Sequence, residues 1–134
     1  MGSNYADVGA FHEKFGLRHG PKDVGPAEIS DELLQFRLNF LKEELQEFED
    51  GSKVMDHAMM ADALVDLVYV ALGTAHLFGY PWQRLWNDVQ RANMAKMRAT
   101  AASQSARNTA FDVIKPEGWT PPRTEEILRE AGFS

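Results

Sequence analysis

The chain has 134 residues, 44% of them apolar and 25% charged, with a formal net charge of −6 and no cysteine. That length supports one domain with its own core. The missing cysteines exclude disulfides, thiolate nucleophiles and zinc–thiolate or iron–sulfur sites, and the acidic balance argues against broad binding to a nucleic-acid polymer.

Residues 1–4 read as a tag-like or disordered start, residues 5–101 as a helical domain, and residues 102–134 as a loop, a proline-rich segment and a short terminal helix packed on the same domain. The first helix is expected over residues 5–15, ended by Gly16. Residues 18–25 hold two glycines and a proline, and Pro26 follows, so they read as a loop. The second helix is expected over 28–50, because Leu34, Leu38, Leu41, Leu45 and Phe48 step by 4, 3, 4 and 3 before Gly51-Ser52. The third, over 55–78, is apolar nearly all round and reads as a central, buried helix rather than a membrane span, since its greasy stretch carries Asp66 and His76. Gly79 suits its C-cap, and Pro81 suits the first turn of a fourth helix running to 101. Residues 101–109 are small and polar, a candidate flexible loop. The prolines of 113–122 exclude a helix there. Thr124 is placed to cap a last helix ending near 131. The pattern predicts an all-α antiparallel bundle of four to five helices. Its central helix is too apolar for its neighbours to cover, so a homodimer or homotetramer is expected to complete it.

Two acidic groups stand out. At 100° per residue, Arg37, Phe40, Glu44 and Glu47 share a strip beside the leucine stripe, with Glu43 further round. Asp62 and Asp66 lie four apart in an otherwise apolar segment. Glutamates on a helix are ordinarily a solvated face, but carboxylates embedded among apolar residues need a positive partner. That partner is either a salt bridge from Arg37, Lys42 or Lys53, or a divalent ion; all-oxygen ligands suit Mg²⁺ or Mn²⁺. A di-iron site is excluded because no glutamate has a histidine three residues on, and His12, His19, His57 and His76 show no ligand spacing. Asn93 and Lys96, three apart at the end of the fourth helix, suit phosphate oxygens, and Lys115 offers a further cation. Phe11, Phe15 and Trp82 are candidates to stack on a base, Asn39 and His12 to hydrogen-bond it.

Glu43-Glu44-x-x-Glu47, then an acidic motif ending in Asp66, then Asn93-x-x-Lys96, resembles the all-α NTP pyrophosphohydrolase superfamily, and in particular its short, single-domain, phage-type MazG-like branch. The strings FRLNFLKEELQE, ADALVDLVYVALG, ANMAKM and KPEGWTPP carry the likeness. The resemblance implies a metal-dependent hydrolase that converts a (d)NTP, with a lean to a purine dNTP such as dGTP, to the monophosphate and pyrophosphate. It implies two or three Mg²⁺ or Mn²⁺ ions per site, held by Glu43, Glu44, Glu47, Asp62 and Asp66, with Asp62 standing in for a family glutamate expected at Ala63. Glu47 and Lys96 are the implied catalytic groups; Asn93, Lys96, Arg37, Lys115, Phe15 and Asn39 are the expected substrate contacts. The implied partner is a small nucleotide, with no nucleic-acid polymer and no membrane, in the bacterial or phage-infected host cytoplasm. The competing readings are a dUTP, dCTP or modified-nucleotide pyrophosphatase, a non-catalytic nucleotide-sensing or interaction protein, and a structural bundle whose acids are only salt-bridged.

Overall fold

The computed structural model describes residues 2–17 and 24–134, so most of the expected 18–25 loop lies outside the described residues. The helices are α1 (Asn4–Lys14), α2 (Asp31–Lys53), α3 (His57–Phe78), α4 (Trp82–Met94) and α5 (Thr124–Glu130). Strands β1 (Met97–Arg98) and β2 (Val113–Ile114) form a small antiparallel ladder. The architecture is all-α. Two compact units are present: residues 1–80 with 131–133, and residues 81–130 with Ser134.

In the first unit, side-chain caps decide where helices begin. Ser3 Oγ accepts from the Ala6 amide at 3.1 Å, Ser30 Oγ from Leu33 at 3.0 Å and Asp56 Oδ1 from Met59 at 3.1 Å. Ser3, set aside above with the chain start, is thus the N-cap of α1. The Ser30 cap starts α2 three residues later than its periodicity suggests, and α2 continues through Gly51-Ser52 instead of stopping there. α3 ends at Gly79 as expected, in the left-handed conformation with φ 74°.

The helices pack antiparallel. Gly51 meets Met59 and Met60, while Arg37 reaches Val70 and Thr74, so α2 and α3 run past each other in opposite directions. α1 also packs on α3, with Gly9 against His76 and Phe11 against Tyr69, and its His12 meets Arg37 of α2 over Gly73. Val8, Ala63, Val70, Leu72, Ala75 and Phe78 form the buried apolar set.

The leucine stripe of α2 turns only in part toward α3, with Leu41 and Phe48 half-buried. Leu34, Leu38 and Leu45 are 49%, 42% and 56% exposed, whereas Arg37, Glu44 and Gly51, seven apart, are buried. Nor is α3 covered all round within one chain: Leu64, Val65, Val68 and Tyr69 are exposed and line an open, largely apolar hollow of about 400 Å³. By length and composition α3 is apolar enough to cross a membrane; here it is the helix on which both α1 and α2 pack.

In the second unit α4 stops at Met94, seven residues before the expected end. Met97 and Arg98 pair with Ile114 and Val113 instead, and the Trp119 indole N–H donates to the carbonyl of Ala92 at 2.6 Å, occupying one of the acceptors that a helix end leaves open. Buried Asp88 straps the following segment to α4: it accepts from Arg91 Nε at 3.0 Å and from the Arg123 amide at 2.5 Å. These donors hold its carboxyl down at about 2. Side-chain hydrogen bonds run through the stretch expected to be a flexible loop. Gln104 Oε1 accepts from the Thr100 amide at 2.7 Å, and Asp112 accepts from Ser105 Oγ at 2.6 Å and Arg107 Nη1 at 2.9 Å. The carbonyl of Arg123 receives the Ile127 amide, so Thr124 lies inside the first turn of α5 rather than capping it.

Candidate active site

The antiparallel register sets Glu44 of α2 opposite Asp66 of α3, and Glu47 follows one turn later on the same face of α2. One carboxylate oxygen from each of Glu44, Glu47 and Asp66 comes within 4.8 Å of the others. Glu44 is 6% exposed, Glu47 is half-buried and Asp66 is exposed. Glu44 Oε2 is buried without any hydrogen-bond partner. Burial first, then the charges of Glu47 and Asp66, a hydrogen bond with Glu47 and the charge of Glu43 push the Glu44 carboxyl above the usual range.

No lysine or arginine compensates this group among the described residues. Lys53 pairs with Asp50 at 3.7 Å. Arg37 is buried and turned to α3, its Nε donating to Thr74 Oγ1 at 3.1 Å and its Nη2 to the Val70 carbonyl at 3.0 Å. The salt-bridge explanation for the acidic strip therefore has no partner here. Three hard oxygen donors, one of them orphaned and buried, fit a divalent ion such as Mg²⁺ or Mn²⁺.

Two of the expected metal ligands stand outside the group. Asp62 is exposed; it lies a full turn, about 6 Å, along α3 from Asp66 and is rotated about 40° from it. Ala63, at the position where a glutamate was expected, is 1% exposed and offers no ligand atom. Glu43 is exposed, about 100° round the helix from Glu44, and acts on it only through its charge.

The expected substrate contacts of the first unit have different surroundings. Arg37 sits in a buried polar cluster with His12 and Gly73: a Cβ on Gly73 would lie 2.7 Å from His12 Nε2 and 2.8 Å from Arg37 Nη2. His12 is buried, with Nδ1 unpartnered, and burial followed by the charges of Arg37 and His76 lowers its pKa to about 4. Asn39 is exposed on α2 and accepts from Gln35 at 2.8 Å. Phe15 and Phe11 form an exposed pair with ring centres 4.8 Å apart. Trp82 lies 6.3 Å from Trp86 in α4.

In the second unit Asn93 is exposed in the last turn of α4, and Lys96 lies just past the helix end, its amide donating to the Asn93 carbonyl at 3.1 Å. Lys96 and Lys115 instead both approach the ring of Trp119, at 5.5 and 5.0 Å from its centre. Trp119 is the residue the periodicity argument missed. Its only sequence signal is the Lys115-Pro116-Glu117-Gly118-Trp119 string, which lies outside any helix.

The family model for phosphoribosyl-ATP pyrophosphohydrolase matches residues 8–93, a stretch that contains all three clustered carboxylates and ends before Lys96. An uncharacterized protein of Acanthamoeba polyphaga mimivirus is 34% identical over 80 residues, covering 58% of this chain and 31% of that protein. The chain therefore spans about a third of the length of that relative. Since the family match covers more than half of its residues, the chain belongs to the phosphoribosyl-ATP pyrophosphohydrolase family, an all-α family of pyrophosphohydrolases related to MazG-like enzymes.

Proposed function

We propose that the chain is a Mg²⁺- or Mn²⁺-dependent nucleoside triphosphate pyrophosphohydrolase of the MazG-like kind, cleaving a (d)NTP to the monophosphate and pyrophosphate. A purine deoxynucleotide such as dGTP is the favoured substrate. The observation that carries this reading is the Glu44–Glu47–Asp66 group, in which a buried carboxylate oxygen has neither donor nor counter-cation.

Glu44, Glu47 and Asp66 would hold the ion, which when bound neutralises phosphate charge and makes water more acidic. Glu47, half-buried in the group, is the proposed acceptor of the attacking water's proton. The water oxygen bonds to the α-phosphorus, the α–β phosphoanhydride breaks and pyrophosphate departs. Burying Glu44 keeps competing solvent from the innermost oxygen. Asn93 and Lys96 in the second unit are the proposed phosphate contacts. We propose that the uncovered leucines of α2 and the apolar hollow beside α3 pack against further copies of the chain, and that it works in the cytoplasm.

One observation favours a second reading. Buried Ala63 leaves three clustered carboxylates where the resemblance expects a further glutamate, which suits a protein that senses a nucleotide without turning it over.

Hydrolysis of a panel of NTPs, dNTPs and phosphoribosyl-ATP, with Mg²⁺, Mn²⁺ or EDTA and products read by chromatography, tests both. Metal-dependent monophosphate formation supports the enzyme and identifies the base. Metal-dependent nucleotide binding without product supports the sensor.

A further inference from the structure

We infer that α1 is an acid-released helix: uptake of a proton by His12 frees α1 from α3 while α2 and α3 stay packed. Neither His12 nor Arg37 belongs to the carboxylate group, so the release stands or falls separately from the nucleotide reading.

α1 cannot persist without its neighbours. Its 11 residues fall below the length at which an isolated helix holds in water. It buries Val8, Gly9 and His12. Gly9 allows a close approach to α3, where a Cβ would lie 2.7 Å from His76 Cε1. Tyr5 stacks on the His76 ring with centres 3.9 Å apart, and its carbonyl lies 2.8 Å from His76 Nε2. Phe11 meets Tyr69 edge-on at 5.5 Å. The α2–α3 contact does not need α1, because the Arg37 bonds to Thr74 Oγ1 and to the Val70 carbonyl run between those two helices alone.

Of the three residues that α1 buries, His12 alone can change its charge, and it sits where a second ring proton has no acceptor. His12 is 2% exposed and its Nδ1 has no partner. A neutral imidazole donates from one nitrogen, an imidazolium from both, so charging the docked ring would leave a buried N–H unsatisfied. The charged and titratable groups that face it among the described residues are Arg37 from α2 and His76 from α3; neither is a carboxylate. His12 Nε2 and Arg37 Nη2 lie 2.7 and 2.8 Å from one point, the place of a Cβ on Gly73. The His76 ring centre is 6.0 Å from that of His12. On α1 itself Asp7, Glu13 and Lys14 are exposed. A charge on the docked ring therefore meets a fixed cation at close range, away from water.

Swinging α1 out gives the ring back to solvent and to its ordinary pKa of 6.5, from about 4 when docked. The released state then holds a proton that the docked state does not, so release is favoured as pH falls below 6.5 and the gain levels off below about 4. From pH 7.5 to pH 5 those values raise the opening equilibrium about thirtyfold. Detaching α1 relieves His12 without breaking the α2–α3 contact, which makes it a cheaper opening than unfolding the unit.

The test is hydrogen exchange of the full chain, resolved by peptide mass spectrometry and corrected for the intrinsic pH dependence of exchange. Protection of α1 peptides is expected to fall about thirtyfold from pH 7.5 to pH 5, while α2 and α3 peptides keep theirs. His12→Leu should hold α1 protection level across that range. His12→Gln, polar but unable to take up a proton, should do the same and serves if the leucine variant does not fold. The inference is overturned by α1 protection that does not change with pH in the wild type, by a fall shared equally by α2 and α3, or by an undiminished fall in either variant.

Discussion

Glu44 of α2 and Asp66 of α3 bring carboxylate oxygens within 4.8 Å of each other, and the buried Glu44 Oε2 meets no donor. Two helices that pack closely along their length thus carry an uncompensated charge between them. In the metal-free chain that charge opposes folding; a bound divalent ion reverses the sign.

Glu44→Gln is therefore expected to raise the thermal midpoint of the metal-free protein and to abolish stabilisation by millimolar Mg²⁺. The pH dependence follows the same sign. The folded-state pKa of Glu44 lies above the ordinary 4.5, so its contribution to stability is present below 4.5 and lost as pH rises through the higher folded value. Unfolding curves with and without Mg²⁺ check this. A metal-free Gln variant less stable than wild type at neutral pH contradicts it.

Glu47→Gln is expected to abolish turnover while leaving the circular-dichroism spectrum and unfolding midpoint close to wild type, because Glu47 is only half-buried and an isosteric amide keeps its packing. Near-wild-type hydrolysis by this variant would take Glu47 out of the chemistry.

Gly73→Ala should destabilise the first unit by about 1–3 kcal/mol, the usual range for overpacking. The added methyl would collide with His12 and Arg37, both buried and both hemmed in. Urea unfolding reads the loss. An unchanged midpoint would mean that the polar cluster shifts freely.

His12 is lowered from 6.5 to about 4 by burial and by the neighbouring charges of Arg37 and His76. Between those values the unfolded chain holds a proton that the folded chain does not, so stability is full above 6.5 and falls as pH drops toward 4. His12→Leu should flatten that part of the stability profile relative to wild type. Parallel profiles for the two proteins would contradict the assignment.

Much of this molecule is legible without coordinates, because its information is local. The 3.6-residue periodicity, the Gly79 stop and the prolines after Ile114 set the number and order of the helices. The three- and four-residue spacings that place Glu44 and Glu47 on one strip follow from helix geometry alone, and an aspartate within an apolar run points to an unusual partner.

What the sequence could not determine is everything that depends on which surface meets which. A stripe of leucines announces an apolar face but not its partner, and packing of α2 on α3 buried Arg37, Glu44 and Gly51 instead of Leu34, Leu38 and Leu45. The same packing selected Asp66 over Asp62, since one turn along α3 changes the neighbour across the interface. The end of α4 was likewise decided at a distance. Residues 95–98 have no strong local breaker, and only their pairing with Val113–Ile114 and the Trp119 bond to Ala92 draw Lys96 off the helix and set it facing Lys115. Helical periodicity is a property of neighbours in the chain; burial, register and the meeting of charges are properties of neighbours in space.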